Sequence, residues 1–228
     1  DVSTASYDSN FSVSSQESSP KGLAFNSDGT KMFVIGSSGD DVNEYTLSTG
    51  FDVSTASYDS NFSVSSQENA PTGLAFNSNG TKMFVIGWAG DDVNEYTLST
   101  GFDVSTASYD SNFSVSSQES TPQGLAFNSN GTKMFVIGSS DDVNKYTLST
   151  GFDVSTASYD SDFKVESQES APKGLAFNSD GTKMFVTGYH GDDVNEYTLS
   201  TGFNLVDDST APTTTFSPAN SATAVAVA

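Results

Sequence analysis

The stretch that decides the fold is residues 71–85, PTGLAFNSNGTKMFV. An apolar segment on each side of Asn79-Gly80 is typical of two antiparallel strands joined by a tight turn, and Asn-Gly or Asp-Gly predicts a type I′ turn. The same stretch recurs with few changes at residues 20–34, 122–136 and 172–186. The chain is therefore expected to consist of copies of one hairpin-based unit.

Working outward from this stretch, the repeated unit is about 50 residues long. Each copy ends in Ser-Thr-Gly-Phe, and the successive phenylalanines are 51, 50 and 51 residues apart. The third copy is shorter because its loop at Ser139-Ser140 lacks a glycine that the other three copies have. The predicted organisation is four repeats followed by a non-repeating tail, with bounds 1–51, 52–102, 103–152, 153–203 and 204–228.

Each copy predicts strands and no helix, because its apolar residues do not recur at the spacing of a helix. In the first copy, strands are expected at Gly22–Phe25, Lys31–Ile35 and Val42–Ser48, and an outer strand lies within Ser57–Gln67. Four antiparallel strands in a repeat of this length are typical of one blade of a β-propeller. The predicted fold class is an all-β propeller of four-stranded antiparallel blades.

Two parts of the chain resemble known families. Residues 71–85 resemble the strand-turn-strand signature of WD40-like and YVTN-type propellers, and also the near-identical tandem propeller repeats of marine bacteria and their viruses. This resemblance covers residues 1–203, and it implies a fold but no particular function. The tail, with Pro212 and the segment Phe216–Asn220, is similar to the opening of bacterial immunoglobulin-like domains. A Thr/Pro-rich linker is the alternative for the tail.

The phase of the repeat predicts how the blades close. Residues 1–16 correspond to an outer strand without its own blade, and the fourth copy has three strands without an outer one. Ser6–Ser14 is therefore expected to pair with Val194–Leu199, so that the N-terminal strand closes the last blade. The alternative is that two chains exchange this segment to build an eight-bladed ring, and longer exchange would give filaments.

Composition excludes several classes of partner and of chemistry. The formal net charge is −21, and all eight basic residues are lysines, which makes nucleic acid and anionic membrane surfaces poor partners. No apolar run is long enough for membrane insertion. The chain has no cysteine and one histidine, His190, so no cofactor or metal centre is predicted.

The acidic residues argue against an enzyme, because they recur in equivalent surroundings, whereas catalytic carboxylate pairs need different environments. A hydrolase or lyase site at His190, with Tyr189 and Asp192, remains a less favoured alternative. The Asp pairs that begin at Asp40, Asp91, Asp141 and Asp192 could ligate calcium, but aspartate is also a favoured turn residue, and the structural role is preferred.

Differences between the copies identify candidate binding residues. The turn after the second strand contains Ser37-Ser38, Trp88-Ala89, Ser139-Ser140 and Tyr189-His190 in successive copies. The segment leading into the first strand also varies around Pro20, Pro71, Pro122 and Pro172. Both lie on the same predicted rim, and an exposed tryptophan is typical of contacts with carbohydrate or protein. Drift at unconstrained loops is the alternative explanation.

These observations predict a secreted or cell-surface protein of bacterial or viral origin. Its expected function is non-catalytic: a structural or adhesive module whose candidate binding residues are Trp88, Tyr189, His190, Ser37 and Ser139. The expected partner is a protein or a glycan at a cell or virion surface. A carbohydrate-binding propeller is the alternative, although two of its four turns carry serine instead of an aromatic residue.

Overall fold

The computed structural model describes residues 6–205, and its regular secondary structure is almost entirely antiparallel β-sheet. Each sheet is one blade, and its strands pair in chain order. The first blade is formed by β1 (Pro20–Phe25), β2 (Lys31–Gly36), β3 (Asp41–Leu47) and β4 (Ala56–Ser63). The others are formed by β5 (Pro71–Phe76), β6 (Lys82–Gly87), β7 (Asp92–Leu98) and β8 (Ala107–Ser114), by β9 (Pro122–Phe127), β10 (Lys133–Gly138), β11 (Asp142–Leu148) and β12 (Ala157–Lys164), and by β13 (Pro172–Phe177), β14 (Lys183–Gly188) and β15 (Val194–Thr198).

The four blades are arranged around a common axis as a β-propeller, which confirms the predicted fold class. The innermost strands β1, β5, β9 and β13 all contribute to a central cavity of about 180 Å³. In each of the first three blades a short 3-10 turn, Val53–Thr55 in the first, lies between the third and fourth strands. No helix within residues 6–205 is long and apolar enough to cross a membrane.

The hairpin turn inside each blade differs from the predicted type I′ turn. The amide of Gly29 donates to the carbonyl of Asn26 at 3.1 Å, and Gly29 has a φ of 70°. Asp28, the preceding residue, does not have a positive φ, whereas a type I′ turn needs two in succession. Aspartate is used here because its carboxylate accepts hydrogen bonds from the amide and hydroxyl of Thr30. The prediction overlooked this side-chain alternative.

The hydrophobic core is divided into repeated interfaces between blades. Phe33, Ile35 and Val42 of the first blade pack against residues of the second blade that include Met83 and Tyr96. Equivalent residues join the second blade to the third, and the third to the fourth. Residues on both sides of these interfaces are apolar because each blade covers the facing sheet of its neighbour.

The expected closure by the N-terminal strand is not observed within the described residues. The fourth blade has the three strands β13, β14 and β15, and residues 6–13 form no strand. The N-terminal segment lies instead against the first blade, where the Phe11 ring contacts the Tyr45 ring at 5.5 Å. The prediction was wrong because it assumed that the fourth blade lies next to the first as closely as the other blades lie to each other. The resemblance of the tail to an immunoglobulin-like domain concerns residues 206–228, which lie outside the described residues.

Candidate binding rim

The variable turns lie at equivalent positions at one end of the blades. We call this end the rim and define it by the four turns 36–41, 87–92, 138–142 and 188–193. At its second residue each turn donates an amide hydrogen bond to the segment before the first strand, as in Trp88 to Ala70 at 3.4 Å and Tyr189 to Ala171 at 3.1 Å. Pro20 pairs with Gly36 in the sheet, and the other three prolines occupy the same position. Both variable segments therefore lie on one rim, as predicted.

The aromatic side chains of the rim are exposed to solvent. Trp88 is 53% exposed and Tyr189 is 73% exposed. The rings of Tyr189 and His190 contact each other edge to face, with centroids 5.4 Å apart. Ser37 and Ser139 occupy the position of Trp88 in the first and third blades, where they are also exposed. Trp88 is thus not a core residue, and its role in binding stays a prediction.

A buried glutamate holds each rim turn in place, and sequence reasoning missed these residues. Glu68 is 1% exposed, and its carboxylate accepts hydrogen bonds from the amides of Ala70 at 2.7 Å, Ala89 at 3.3 Å and Gly90 at 3.0 Å. The other three copies have Glu17, Glu119 and Glu169 in the same role. The available signal was a Gln-Glu pair that recurs unchanged in every copy.

These glutamates are compatible with burial because backbone amides replace water around the charge. Burial disfavours the charged form of Glu169, but the amides of Ala171, His190 and Gly191 outweigh this effect and lower the pKa of the carboxyl below its ordinary value. The rim is therefore a set of variable side chains carried on turns that a constant carboxylate fixes. Because the turns are already ordered, less conformational entropy is lost when a partner binds them.

The Asp pairs have a structural role in the turns of the rim. Asp40, Asp91, Asp141 and Asp192 have φ between 53° and 63°, a conformation that aspartate tolerates better than most residues. Burial raises the pKa of Asp40, and the nearby charges of Asp41 and Glu17 raise it further. Within residues 6–205, no group of three or more His, Asp or Glu side chains is placed to hold a metal ion.

Most of the lysines form ion pairs with carboxylates of the blades. Lys31 pairs with the buried Glu44, and Lys82 pairs with Glu95 and with Asp110. Lys145 pairs with Asp160 at 2.9 Å, and Lys164 and Lys183 are also in ion pairs. The His190 ring forms no hydrogen bond with any of residues 6–205, although the backbone amide of His190 donates to Glu169.

Comparison with solved structures agrees with the propeller architecture. A functionally unknown protein from Desulfotomaculum acetoxidans matches with a TM-score of 0.56 and 15% identity, over 80% of this chain and 56% of that chain. A candidate 6-phosphogluconolactonase from Bacteroides uniformis matches with a TM-score of 0.56 and 12% identity, over 78% and 50% of the respective chains. The β-propeller domain of Cps50 (Swd1) from Myceliophteria thermophila matches with a TM-score of 0.52 and 9% identity, over 79% and 54%.

The chain therefore has a β-propeller fold and spans about half the length of the solved structures it matches. At these identities the likeness concerns the fold alone, because propellers carry many unrelated functions. No family model and no curated protein sequence matches the chain.

Proposed function

We propose that this protein is a non-catalytic binding module that recognises a protein or glycan at a cell or virion surface through its rim. The observation that carries this proposal is the exposure of Trp88 and Tyr189 at equivalent turns of otherwise near-identical blades. Large aromatic side chains that stay exposed on ordered turns provide contact area at low entropic cost. A secreted or surface location, in a bacterial or viral setting, is part of this proposal.

The net charge of the chain limits the classes of partner that it can bind. With a formal net charge of −21, the protein repels polyanions and favours neutral or basic partners. Five of its eight lysines are engaged in ion pairs within the blades. A neutral glycan or a basic protein surface fits these properties, and a nucleic acid or an anionic lipid surface does not.

A second candidate is a lectin, and the aromatic turns favour it. Stacking of a sugar on an exposed aromatic face needs no opposite charge, which suits an acidic surface. The serines Ser37 and Ser139 at the equivalent positions weaken this candidate, since only alternate blades would offer an aromatic ring.

Catalysis is not part of the proposal, although one fold relative is a candidate 6-phosphogluconolactonase. Arginine, the usual fork for binding a phosphorylated substrate, is absent from this sequence. The single histidine, His190, lies on an exposed turn beside Tyr189. In assays for lactone and ester hydrolysis, the wild-type protein and the His190→Ala variant should show the same activity.

The test replaces the aromatic turn with one that the chain itself already uses. The double variant Trp88→Ser, Ala89→Ser gives the second blade the Ser-Ser-Gly turn of the first blade, so the turn remains a native one. Binding to a glycan array and to a panel of bacterial surface proteins should fall at least tenfold. The Tyr189→Ser, His190→Ser variant converts the fourth blade in the same way.

The matched control is the reverse exchange, Ser37→Trp with Ser38→Ala, which gives the first blade the turn of the second. It should retain or increase binding with an unchanged melting temperature. If wild-type protein binds neither the glycan array nor the protein panel, or if both serine variants bind as well as wild type, the rim is not the binding surface.

A further inference from the structure

One face of the fourth blade and one face of the first blade are more exposed than the equivalent faces of the other blades. We call this region the seam and define it by Val194 on the fourth blade and Leu23 on the first. Val194 is 69% exposed, whereas its counterparts Val42, Val93 and Val143 are fully buried. Leu23 is 60% exposed, whereas Leu74 and Leu125 are each 8% exposed. The seam thus carries interface residues without the neighbour that covers them in the other blades.

The innermost strands show the same interruption. A side chain built on Gly22 would contact Thr72 of the second blade at 3.3 Å, and one built on Gly124 would contact Lys173 of the fourth blade at 2.8 Å. At Gly174, in the fourth blade, such a side chain would meet only Thr187 of its own blade within 4 Å. The fourth blade therefore does not approach the first as the other blades approach their neighbours.

Apolar cavities lie on both sides of the seam. One, of about 380 Å³, is lined on the first blade by residues that include Leu23, Met32 and Val34, and by Phe11 from the N-terminal segment. The other, of about 310 Å³, is lined on the fourth blade by residues that include Val186 and Val194. Exposed apolar surface of this kind marks a contact with another chain more often than a free surface.

The N-terminal segment already lies where an outer strand of a preceding blade would lie. Phe11 contacts Tyr45 with ring centroids 5.5 Å apart at 76°, and Phe62 of β4 contacts Tyr96 of the next blade at 5.5 Å and 75°. Glu17 binds the turn of the first blade as Glu68 binds that of the second. The segment is thus fixed to the first blade in the way that β4, β8 and β12 are fixed to the blade that follows them. Unlike those strands, it has no neighbouring strand of its own sheet to pair with among the described residues.

The edge strand β15 lacks that outer strand. In the first blade Val42 pairs with Phe62 and Asp41 pairs with Ser63. The same register would pair Val194 with Phe11 and Asp193 with Ser12. The exposed edge of β15 and the unpaired N-terminal segment are therefore complementary in sequence and in position.

The buried polar contacts of the interface also have unused counterparts at the seam. Glu44 of the first blade accepts a hydrogen bond from the amide of Val104 at 2.8 Å, and Glu95 accepts one from Val154 at 2.8 Å. Glu196, their counterpart in the fourth blade, is 54% exposed at its side chain. The amide that would complete the series is that of Val53, at the first blade.

We infer that the seam is occupied by a second copy of this chain, so that two chains form one eight-bladed ring with twofold symmetry. In each of two identical seams, the Val194 face of one copy packs on the Leu23 face of the other, and the N-terminal segment becomes the fourth strand of the other copy's last blade. The chain covers 54% of the Cps50 (Swd1) propeller domain, so four blades correspond to about half of one propeller. Two halves close a ring and leave no free edge.

The dimer has a consequence for the rim. Trp88 belongs to the second blade and Tyr189 to the fourth. An eight-bladed ring would therefore carry an aromatic turn on every second blade, with two tryptophans and two tyrosines facing the same side. A multivalent surface partner would bind such a ring more tightly than one half of it.

The test measures the molar mass of the full chain and of two variants by sedimentation equilibrium. Wild-type protein should have twice the mass of one 23.9 kDa chain. Val194→Asp places a charge in the seam and should give folded monomers that keep the strands of the single chain, since Val194 is exposed there. Tyr189→Asp, an equally exposed position on the rim, should remain a dimer.

Wild-type protein that stays monomeric at 100 μM, a dimer that Val194→Asp does not dissociate, or a series of larger open assemblies would each overturn the inference. The mass does not depend on any ligand, so the inference and the proposed binding function fail separately.

Discussion

The interface between the second and third blades and the seam between the fourth and first are built from the same residue types, yet one is core and the other is surface. At the first, Val93 is fully buried and belongs to the same cluster as Leu125. At the seam, the corresponding Val194 and Leu23 are exposed. In a repeat protein, the residue type therefore specifies an interface, but the number of adjacent repeats determines whether that interface is formed.

The largest effect should come from placing a charge at the two equivalent valines. Val93→Asp buries an unpaired carboxylate in the interface and should cost about 3 to 5 kcal/mol of unfolding free energy, enough to prevent folding in most marginally stable domains. Val194→Asp should lower the unfolding free energy of the single chain by less than about 0.5 kcal/mol. Urea unfolding followed by circular dichroism measures both, at protein concentrations low enough for the wild type to be monomeric. Equal losses would show that the fourth blade is packed like the second.

A smaller difference is expected for the leucines of the innermost strands. In the Val194→Asp background, which keeps the seam open, Leu125→Ala should cost about 2 to 4 kcal/mol because it leaves a cavity between blades. Leu23→Ala in the same background should cost less than about 1 kcal/mol, since most of its side chain is already in water. A cost at Leu23 that equals the cost at Leu125 would contradict an open seam in the single chain.

The glutamates that hold the rim should show an intermediate cost that is similar in every blade. Glu68→Ala removes the acceptor for three backbone amides and should cost about 1 to 3 kcal/mol. Glu68→Gln keeps one acceptor oxygen and should recover part of this loss. The exchange rates of the Ala89 and Gly90 amides, followed by NMR, should rise in both variants and more strongly in the alanine variant. Unchanged rates would show that the carboxylate does not fix the turn.

The smallest effect concerns pH at the rim of the fourth blade. Because the folded-state pKa of Glu169 is lowered, its stabilising contribution is fully present above the ordinary pKa of 4.5 and is lost as the pH falls through the lower folded value. Amide exchange at His190 and Gly191, corrected for its intrinsic pH dependence, should therefore increase below about pH 4 relative to the core strands. Glu169→Gln should show the faster exchange at all pH values. An acid response that persists in this variant would assign it to another group.

The sequence predicted the elements that depend on local pattern. The Asn-Gly and Asp-Gly hairpins, the alternation along β3 and the period of about 50 residues were sufficient for the blades and for the placement of Trp88 and Tyr189 on one rim. The prediction of a type I′ turn was wrong. The side chains of Asp28 and Asn79 accept a hydrogen bond from the amide of the threonine two residues later, and only the following glycine has a positive φ. Dipeptide composition does not distinguish these two geometries.

Two other features depend on contacts that local pattern does not contain. The buried role of Glu68 requires three amides from separate segments to converge, whereas a charged residue is ordinarily exposed. The seam depends on the angle between blades, which results from packing of whole interfaces. Because every copy has nearly the same sequence, the N-terminal segment fits the last blade of its own chain and that of another equally well.

The measurement that tests the seam most directly is a disulfide exchange between two single-cysteine variants, since the natural chain has no cysteine. Ser12→Cys and Asp193→Cys mark the two positions that the register pairs across the seam. If the chains are mixed, allowed to exchange and then oxidised, a covalent dimer that contains one of each chain should predominate. Each variant oxidised alone should give little of it. A double variant that oxidises to a covalently closed monomer, with no linked dimer at any protein concentration, would contradict the two-chain ring and show that each chain closes on itself.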